Sequence, residues 1–578
     1  MRDSRSNPVG KGELGEELSH ALLRNLSALE TATDRRHDDM GYRGRIASLL
    51  AKHHSDRRAL RISPAHPWAT TDISHIVFAP MRFVVLLLSV AFVTASIWAD
   101  GLRPIGSERQ FFFDDQIVER LENTHLKLNP AVKHPANPII KKDKPWETDD
   151  MRISWIFYDH TLERFRMRYM NRVYGTDGRD EKGKIIVRGE HDEVIICEAF
   201  SKDGVNWVKP ELGLVEFEGS KANNIIPGHM HVHSHVFEDL GDPDPERRYK
   251  GMLRHVRKDD DGQTFGMTYH YVYSRDGYDW KEYEGNPVID NGDLPGRWGP
   301  TVFSWDPNRK VYVAFMENNF HMHSPHYRRS IGRAESKDMI HWSEPETILT
   351  PDAADHSDVE FYWLFTTPYG KWDLGFLWIF STTNTTHHPE FVFSRDGLNY
   401  HRDFREPIIA RGDNGDFDSV SLYAMRPIVH NDEVLCYYFG TNWRSPEQLE
   451  QLGDKATAGI GLARLPLDGF VSLDGARRDV SMVLTRAFTF KGDALYLNLQ
   501  AALQQWGAEP CEVRVELLDA RHIPIEGHTY ADTDVISTSG RAQKVSWNGN
   551  SDVSALEGNP IRLKIHFKNA KLYSFQFR

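Results

Sequence analysis

Cysteine is scarce: 578 residues hold three, Cys197, Cys436 and Cys511, far apart. Such spacing excludes a metal knuckle or a disulfide framework. At most one bridge is available, so an oxidising compartment is neither required nor excluded. A surplus of positive charge is also missing. Lys and Arg number 70 against 83 Asp and Glu, a net −13, which argues against nucleic acid as a partner. Long apolar runs are nearly absent. The exception is "FVVLLLSVAFVTASIWA", Phe83 to Ala99, behind Arg82.

That run is short for a membrane span and about right for a secretory apolar segment. Small residues at Val93-Thr94-Ala95 and at Ala99 suit a signal peptidase. Met81 stands directly before Arg82, so the preferred reading starts the protein there. Residues 1–80 then form a non-native or disordered extension, and 81–99 a signal peptide. The alternative is a signal anchor with a cytoplasmic tail, the only membrane contact expected. In both cases the rest of the chain is expected outside the cytoplasm: secreted, periplasmic or in the cell envelope.

What is abundant is aromatic: 15 Trp and 21 Tyr. The length exceeds one ordinary core, so at least two domains are expected. A repeat defines the first. Ser201-Lys202-Asp203-Gly204-Val205-Asn206-Trp207 returns as Ser274 to Trp280, as Ser336 to Trp342 with Met339 in place of Gly, and as Ser394 to Tyr400. Ala463 to Phe470 is a worn fifth copy. Asp-Gly supplies a positive-φ turn and the closing Trp an anchor. Before each copy stands a turn-rich tetrad, at Tyr158-Asp159-His160, Asp242 to Pro245, Trp305 to Asn308, Tyr369-Gly370-Lys371 and His430-Asn431-Asp432. Alternating runs such as "RFRMRYM" follow them. Copies roughly 60–70 residues apart fit four-stranded propeller blades with loops. The expected fold is all-β: a five-bladed β-propeller over 105–480, then a β-sandwich over 481–578, where alternating strands lack the repeat.

Five such blades followed by a sandwich resemble the five-bladed propeller glycosidases, glycoside hydrolase families 32, 43 and 68 and their relatives. The resemblance covers roughly residues 105–578. It implies a pocket on the propeller axis, with catalytic carboxylates on the innermost strands of blades one, two and three. The W-x-N-D-P-N-G box of family 32 is absent, as are its Arg-Asp-Pro and Glu-Cys motifs. The family's catalytic residues are therefore not transferable by motif.

The inner strand of each blade precedes its first tetrad, so candidates are read there. Blade one offers Trp146, Glu147, Asp149 and Asp150; blade two "HMHVHSH", His229 to His235; blade three Asp290, Asp293, Arg297 and Trp298. Blade four offers Asp358, Glu360, Tyr362 and Trp363, and blade five Asp416, Asp418, Tyr423 and Arg426. Glycoside hydrolysis needs one carboxyl group as acid and another as base or nucleophile. Asp358 and Glu360, two apart on a strand, share a face. Glu360 is assigned as acid and Asp149 as base, with Asp150 or Asp418 as alternative opposing carboxylates. Trp146, Trp298 and Tyr362 are candidates for stacking on sugar, Arg297 and Arg426 for binding it. Each has a structural alternative, as turn former or blade packing.

Alternate residues on a strand share a face, so His231 and His233 can contact substrate, replace a carboxylate in the chemistry, or hold a divalent cation. No cofactor is required. The expected function is an exported glycoside hydrolase acting on a carbohydrate. A polysaccharide lyase using His and Arg, and a non-catalytic carbohydrate-binding propeller, remain as alternatives.

Overall fold

The computed structural model of the chain describes residues 103–172, 194–227, 236–258, 264–290, 300–318, 328–501 and 510–578. The expected signal segment, His231, His233, Arg297 and Trp298 lie outside the described residues. So do the strand His229 to His235 as a whole and Asp293. Among the described residues no helix is long and apolar enough to cross a membrane, and the three cysteines are buried and unpaired.

The fold is a five-bladed propeller with a β-sandwich. Blade one runs Met151–Asp159, Arg164–Arg172, Val194–Ser201 and Trp207–Val208 from axis to rim. Blade two follows with Phe237–Glu238, Tyr249–Lys258, Thr264–Ser274 and Trp280–Glu282. Blade three is Pro300–Asp306, Val311–Asn318, Ser330–Ser336 and Glu346–Leu349; blade four is Val359–Tyr369, Trp372–Ser381 and Thr386–Ser394. Blade five has Ser421–Ala424 and Ile428–His430 inside, then Glu433–Thr441 and Ala458–Pro466. Its rim comes from the start of the ring: Val132–Lys133 and Ile140–Lys141 pair antiparallel with Ala458–Pro466. Blades four and five meet in one continuous sheet, through a parallel pairing of His387 with Ser421.

The repeat builds the turn between the third and fourth strands. Gly204 N donates to Ser201 Oγ at 2.9 Å, and Asp203 Oδ1 accepts from Val205 N and Asn206 N at 2.9 and 2.8 Å. Burial works against the Asp203 charge, but these donors outweigh it and hold the carboxyl well below its usual range. Gly204 and Gly277 sit at φ of 75° and 81°. Each is also a docking point for the preceding blade: a Cβ would meet Tyr437 Oη at 2.5 Å and the Arg166 guanidinium at 2.8 Å. Glycine is thus required for both conformation and contact. Met339 holds the same turn at φ 67°. Its side chain is wholly buried among Met252, Tyr271 and Phe303 of blades two and three, which offsets a backbone cost of about 1–2 kcal/mol.

The sandwich departs from the expected boundary. Besides strands from the C-terminal part, its two sheets use Arg103–Gly106, Gln110–Phe111, Val118–Glu122 and Leu126–Leu128 from before the propeller, and Val471–Asp474. Strand Ile561–Lys568 alternates cleanly, burying Ile561, Leu563, Ile565 and Phe567 against Leu497, Val513 and Phe575 of the same core. The worn fifth repeat joins the two bodies. Asp468, fully buried, accepts from Tyr369 of blade four at 2.7 Å and from Asn498 of the sandwich at 2.9 Å. It pairs with Arg109 at 2.8 Å.

Candidate active site at the propeller axis

Inner strands of blades one, three and four share a local irregularity. Their pairing slips between Ile153 and Trp155, between Pro300 and Val302, and between Phe361 and Leu364. Bulges re-aim side chains and cluster beside active sites. The slips in blades one and four follow soon after Asp150 and Glu360.

On blade one, Asp150 is fully buried and held by Arg152, with Nε to Oδ1 at 2.7 Å and Nη2 to Oδ2 at 3.2 Å. On blade four, Glu360 Oε2 accepts from Arg329 Nη1 at 2.7 Å, and the same guanidinium lies 3.4 Å from Glu317. Arg329 stacks over Tyr362 and Phe380, at 5.4 and 5.7 Å from the ring centroids. Phe380 stacks on His387 at 4.5 Å; Tyr362 meets His387 edge-on at 5.2 Å. Tyr423 of blade five closes the group, its Oη 2.9 Å from His387 Nδ1.

Electrostatics tie the blades together. Burial raises the Tyr362 phenol, with Glu317 adding and Arg329, Arg152 and Arg172 opposing. Burial pushes Tyr423 up to about 12, within the fields of Arg152 and Asp150. Burial and the nearby cations Arg152 and Arg329 push His387 down to about 3. His387 is therefore a neutral imidazole at physiological pH, and when Tyr423 donates to Nδ1 its proton sits on Nε2. This assembly of carboxylates, guanidinia, phenols and an imidazole can hold sugar hydroxyls and exchange protons.

The expected residues divide. Glu360 and Tyr362 belong to the group. Asp358 lies beside it as a turn anchor: Ser381 Oγ donates to it at 2.5 Å, His356 Nδ1 stands at 2.6 Å, and the Ser381 hydroxyl outweighs the opposing effect of burial and holds it well below the usual range. Tied by Ser381 and Thr383 into the turn after the second strand, it serves that turn, so its catalytic assignment is corrected. Asp149 pairs with Lys142 at 2.7 Å on the preceding loop, and its neighbour Asp150 is the one within the group's field. Asp418 is structural: 2% exposed, it pairs with Lys133 at 2.6 Å and accepts from Tyr438 at 2.9 Å, fastening the ring-closing strand. Trp146 wedges against Phe217 and donates to Asn224 at 2.9 Å, which is packing rather than sugar stacking. Arg426 reaches from blade five to the carbonyl of Phe303 in blade three at 2.8 Å, and burial lowers it to about 10. It braces the ring.

Arg152, Glu317, Arg329 and His387 were missed. Arg152 had a readable signal, standing two residues beyond Asp150 on the same strand face. Glu317 lies on a second strand, His387 on a third, and Arg329 just ahead of a third, all away from the inner strands where the candidates were sought.

A cavity of about 240 Å³ opens elsewhere, between propeller and sandwich, lined by Arg109, Asp432, Tyr496 and Arg541. Arg109 and Arg541 are each ion-paired there. It lacks a pair of facing carboxylates, so chemistry favours the axial group.

A five-bladed propeller with acidic residues on its inner strands, joined to a sandwich, has the architecture of the propeller glycosidases, which this chain resembles. No family model matches the chain. An invertase from Schizosaccharomyces pombe is 36% identical over 80 residues, which span 14% of this chain and 12% of the relative. Among solved structures, a β-1,2-mannobiose phosphorylase from Listeria innocua aligns at 11% identity, covering 58% of this chain and 96% of that one, with a TM-score of 0.39. A fructofuranosidase from Schwanniomyces occidentalis aligns at 12% identity over 77% and 96%, TM-score 0.36. An N-acetylgalactosamine deacetylase from F. plautii aligns at 14% over 60% and 96%, TM-score 0.38.

Proposed function

We propose that this protein is an exported glycoside hydrolase that cleaves a glycosidic bond of an oligo- or polysaccharide at the propeller axis. One observation carries the reading: Glu360, held by the Arg329 that stacks over Tyr362, and Asp150, whose charge acts on Tyr423, come from two blades and bear on the same Tyr362–His387–Tyr423 group. Glu360 serves as the acid that protonates the leaving oxygen. Asp150 replaces Asp149 as the opposing base or nucleophile. Arg152, Arg329 and Tyr362 hold the sugar. The segment Phe83 to Ala99 directs export, and the reaction needs no cofactor. A cation held by His231 and His233 is the alternative; activity unchanged by a chelator argues against it.

Glu360→Gln keeps the shape and loses the proton, so turnover on a glycan panel falls by about 10²–10⁴-fold with the thermal transition intact. Undiminished turnover in a folded variant sinks the assignment. The neutral imidazole and phenol beside Arg152 and Arg329 also favour a second reading. A lyase would abstract a proton α to a uronic carboxylate and release an ultraviolet-absorbing unsaturated product. Reducing ends without that absorbance identify the hydrolase.

A further inference from the structure

Blade two carries a second cluster, independent of the axial reading. His255 on Tyr249–Lys258, His270 on Thr264–Ser274 and Glu282 on Trp280–Glu282 stand on three successive strands. Cross-strand register puts them on one face. Leu253 pairs with His270, His255 with Thr268 and Val272 with Glu282, and directly opposed residues point the same way. One ligand atom from each lies within 4.8 Å of the other two. The imidazole rings touch at 4.1 Å between centroids, and His270 Nδ1 is 3.1 Å from Glu282 Oε2.

We propose that His255, His270 and Glu282 form a zinc site. Two imidazoles and a carboxylate are a zinc donor set, with water completing a tetrahedron. Ligands about 2.0 Å from an ion sit about 3.3 Å apart, so side-chain rotation alone draws the donors together. Thr268 Oγ1 lies 3.4 Å from His270 Nε2, on the far side of the ring from Glu282, and accepts that N–H when Nδ1 binds the ion. Arg257, two residues beyond His255 on the same face, is matched by Asp290 at 2.7 Å. Three strands of one sheet supply the ligands, so the ion staples the outer part of blade two, away from the axis.

The test is calorimetric titration of the purified full chain with Zn²⁺ after chelator treatment, near neutral pH. Wild type binds one tight equivalent. The pair His255→Ala and His270→Ala loses it, and Glu282→Gln alone weakens it by about 10–100-fold. A variant with His231→Ala and His233→Ala retains it, which separates this site from those two histidines. Co²⁺ in the wild-type site gives tetrahedral ligand-field bands that Glu282→Gln alters. No tight equivalent in wild type, or one that survives the double substitution, overturns the proposal. Should the double variant not fold, an unaltered affinity in Glu282→Gln overturns it equally.

Discussion

At the scale of residues, buried charge shows where packing and chemistry compete. Asp373, in the second strand of blade four, accepts from the Tyr400 hydroxyl. Burial pushes its carboxyl up to about 6 from 3.8, although Tyr400 and Thr366 pull the other way. A raised folded value means that its contribution to stability is fully present below pH 3.8 and lost as pH rises through about 6. The loss is on the order of 3 kcal/mol. Asp373→Asn keeps the acceptor for Tyr400 and carries no charge. Its melting temperature is expected to exceed wild type at pH about 8, with the gain shrinking toward pH about 5; an equal gain at both would remove the cause named here. Sequence alone marks neither this aspartate nor His387, because both effects come from neighbours distant in the chain. By contrast, the sequence itself offers Glu360 and Tyr362 as candidates. An acidic residue beside "FYWLF" enters an aromatic strand, where a carboxylate needs a reason.

Among elements, the repeat spelled out the blades because one local structure recurs: a Ser–Asp hydrogen-bonded turn and a residue at positive φ. Even Met339 keeps that turn, with burial substituting for glycine's freedom. The turn tetrads stand at the ends of the inner strands Met151–Asp159, Pro300–Asp306 and Val359–Tyr369, whereas Asp290, read with blade three, pairs with a strand of blade two. What sequence hid was closure. The strands completing blade five are two residues long, Val132–Lys133 and Ile140–Lys141, and no period announces them. Asp418 therefore read as an alternative opposing carboxylate. Lys133→Ala leaves Asp418 buried with Tyr438 as its remaining hydrogen-bond donor. Denaturant unfolding should show a loss of about 3–5 kcal/mol, recovered in part by adding Asp418→Asn. A loss under about 1 kcal/mol would mean that solvent reaches Asp418 readily.

The whole molecule is organised by the segment ahead of the propeller. Phe113 packs against Trp372 and Phe393 of blade four at 4.9 and 4.7 Å, while Phe112 enters the sandwich core beside Phe575. Consecutive phenylalanines thus serve two cores. A chain beginning at Asn129 loses four sandwich strands and these anchors, each worth about 3–5 kcal/mol. It should aggregate or unfold without a cooperative transition. A soluble, cooperatively folding product would show that the sandwich tolerates their loss. The resemblance to propeller glycosidases pointed to the order of domains but not to this interleaving, because short strands at a domain's start leave little pattern.

Topologically, the propeller is a guest spliced into its host. During synthesis the host's first four strands emerge long before their partners, which begin near Val471. Roughly 340 residues intervene, or tens of seconds at about 5–20 residues per second. For that interval the nascent strands expose unpaired edges. Their sequence suits the wait: Val118–Glu122 reads VERLE, and Lys127 interrupts LKL. Charges at these positions, which become the outer edges of the two finished sheets, act as gatekeepers against pairing with another chain.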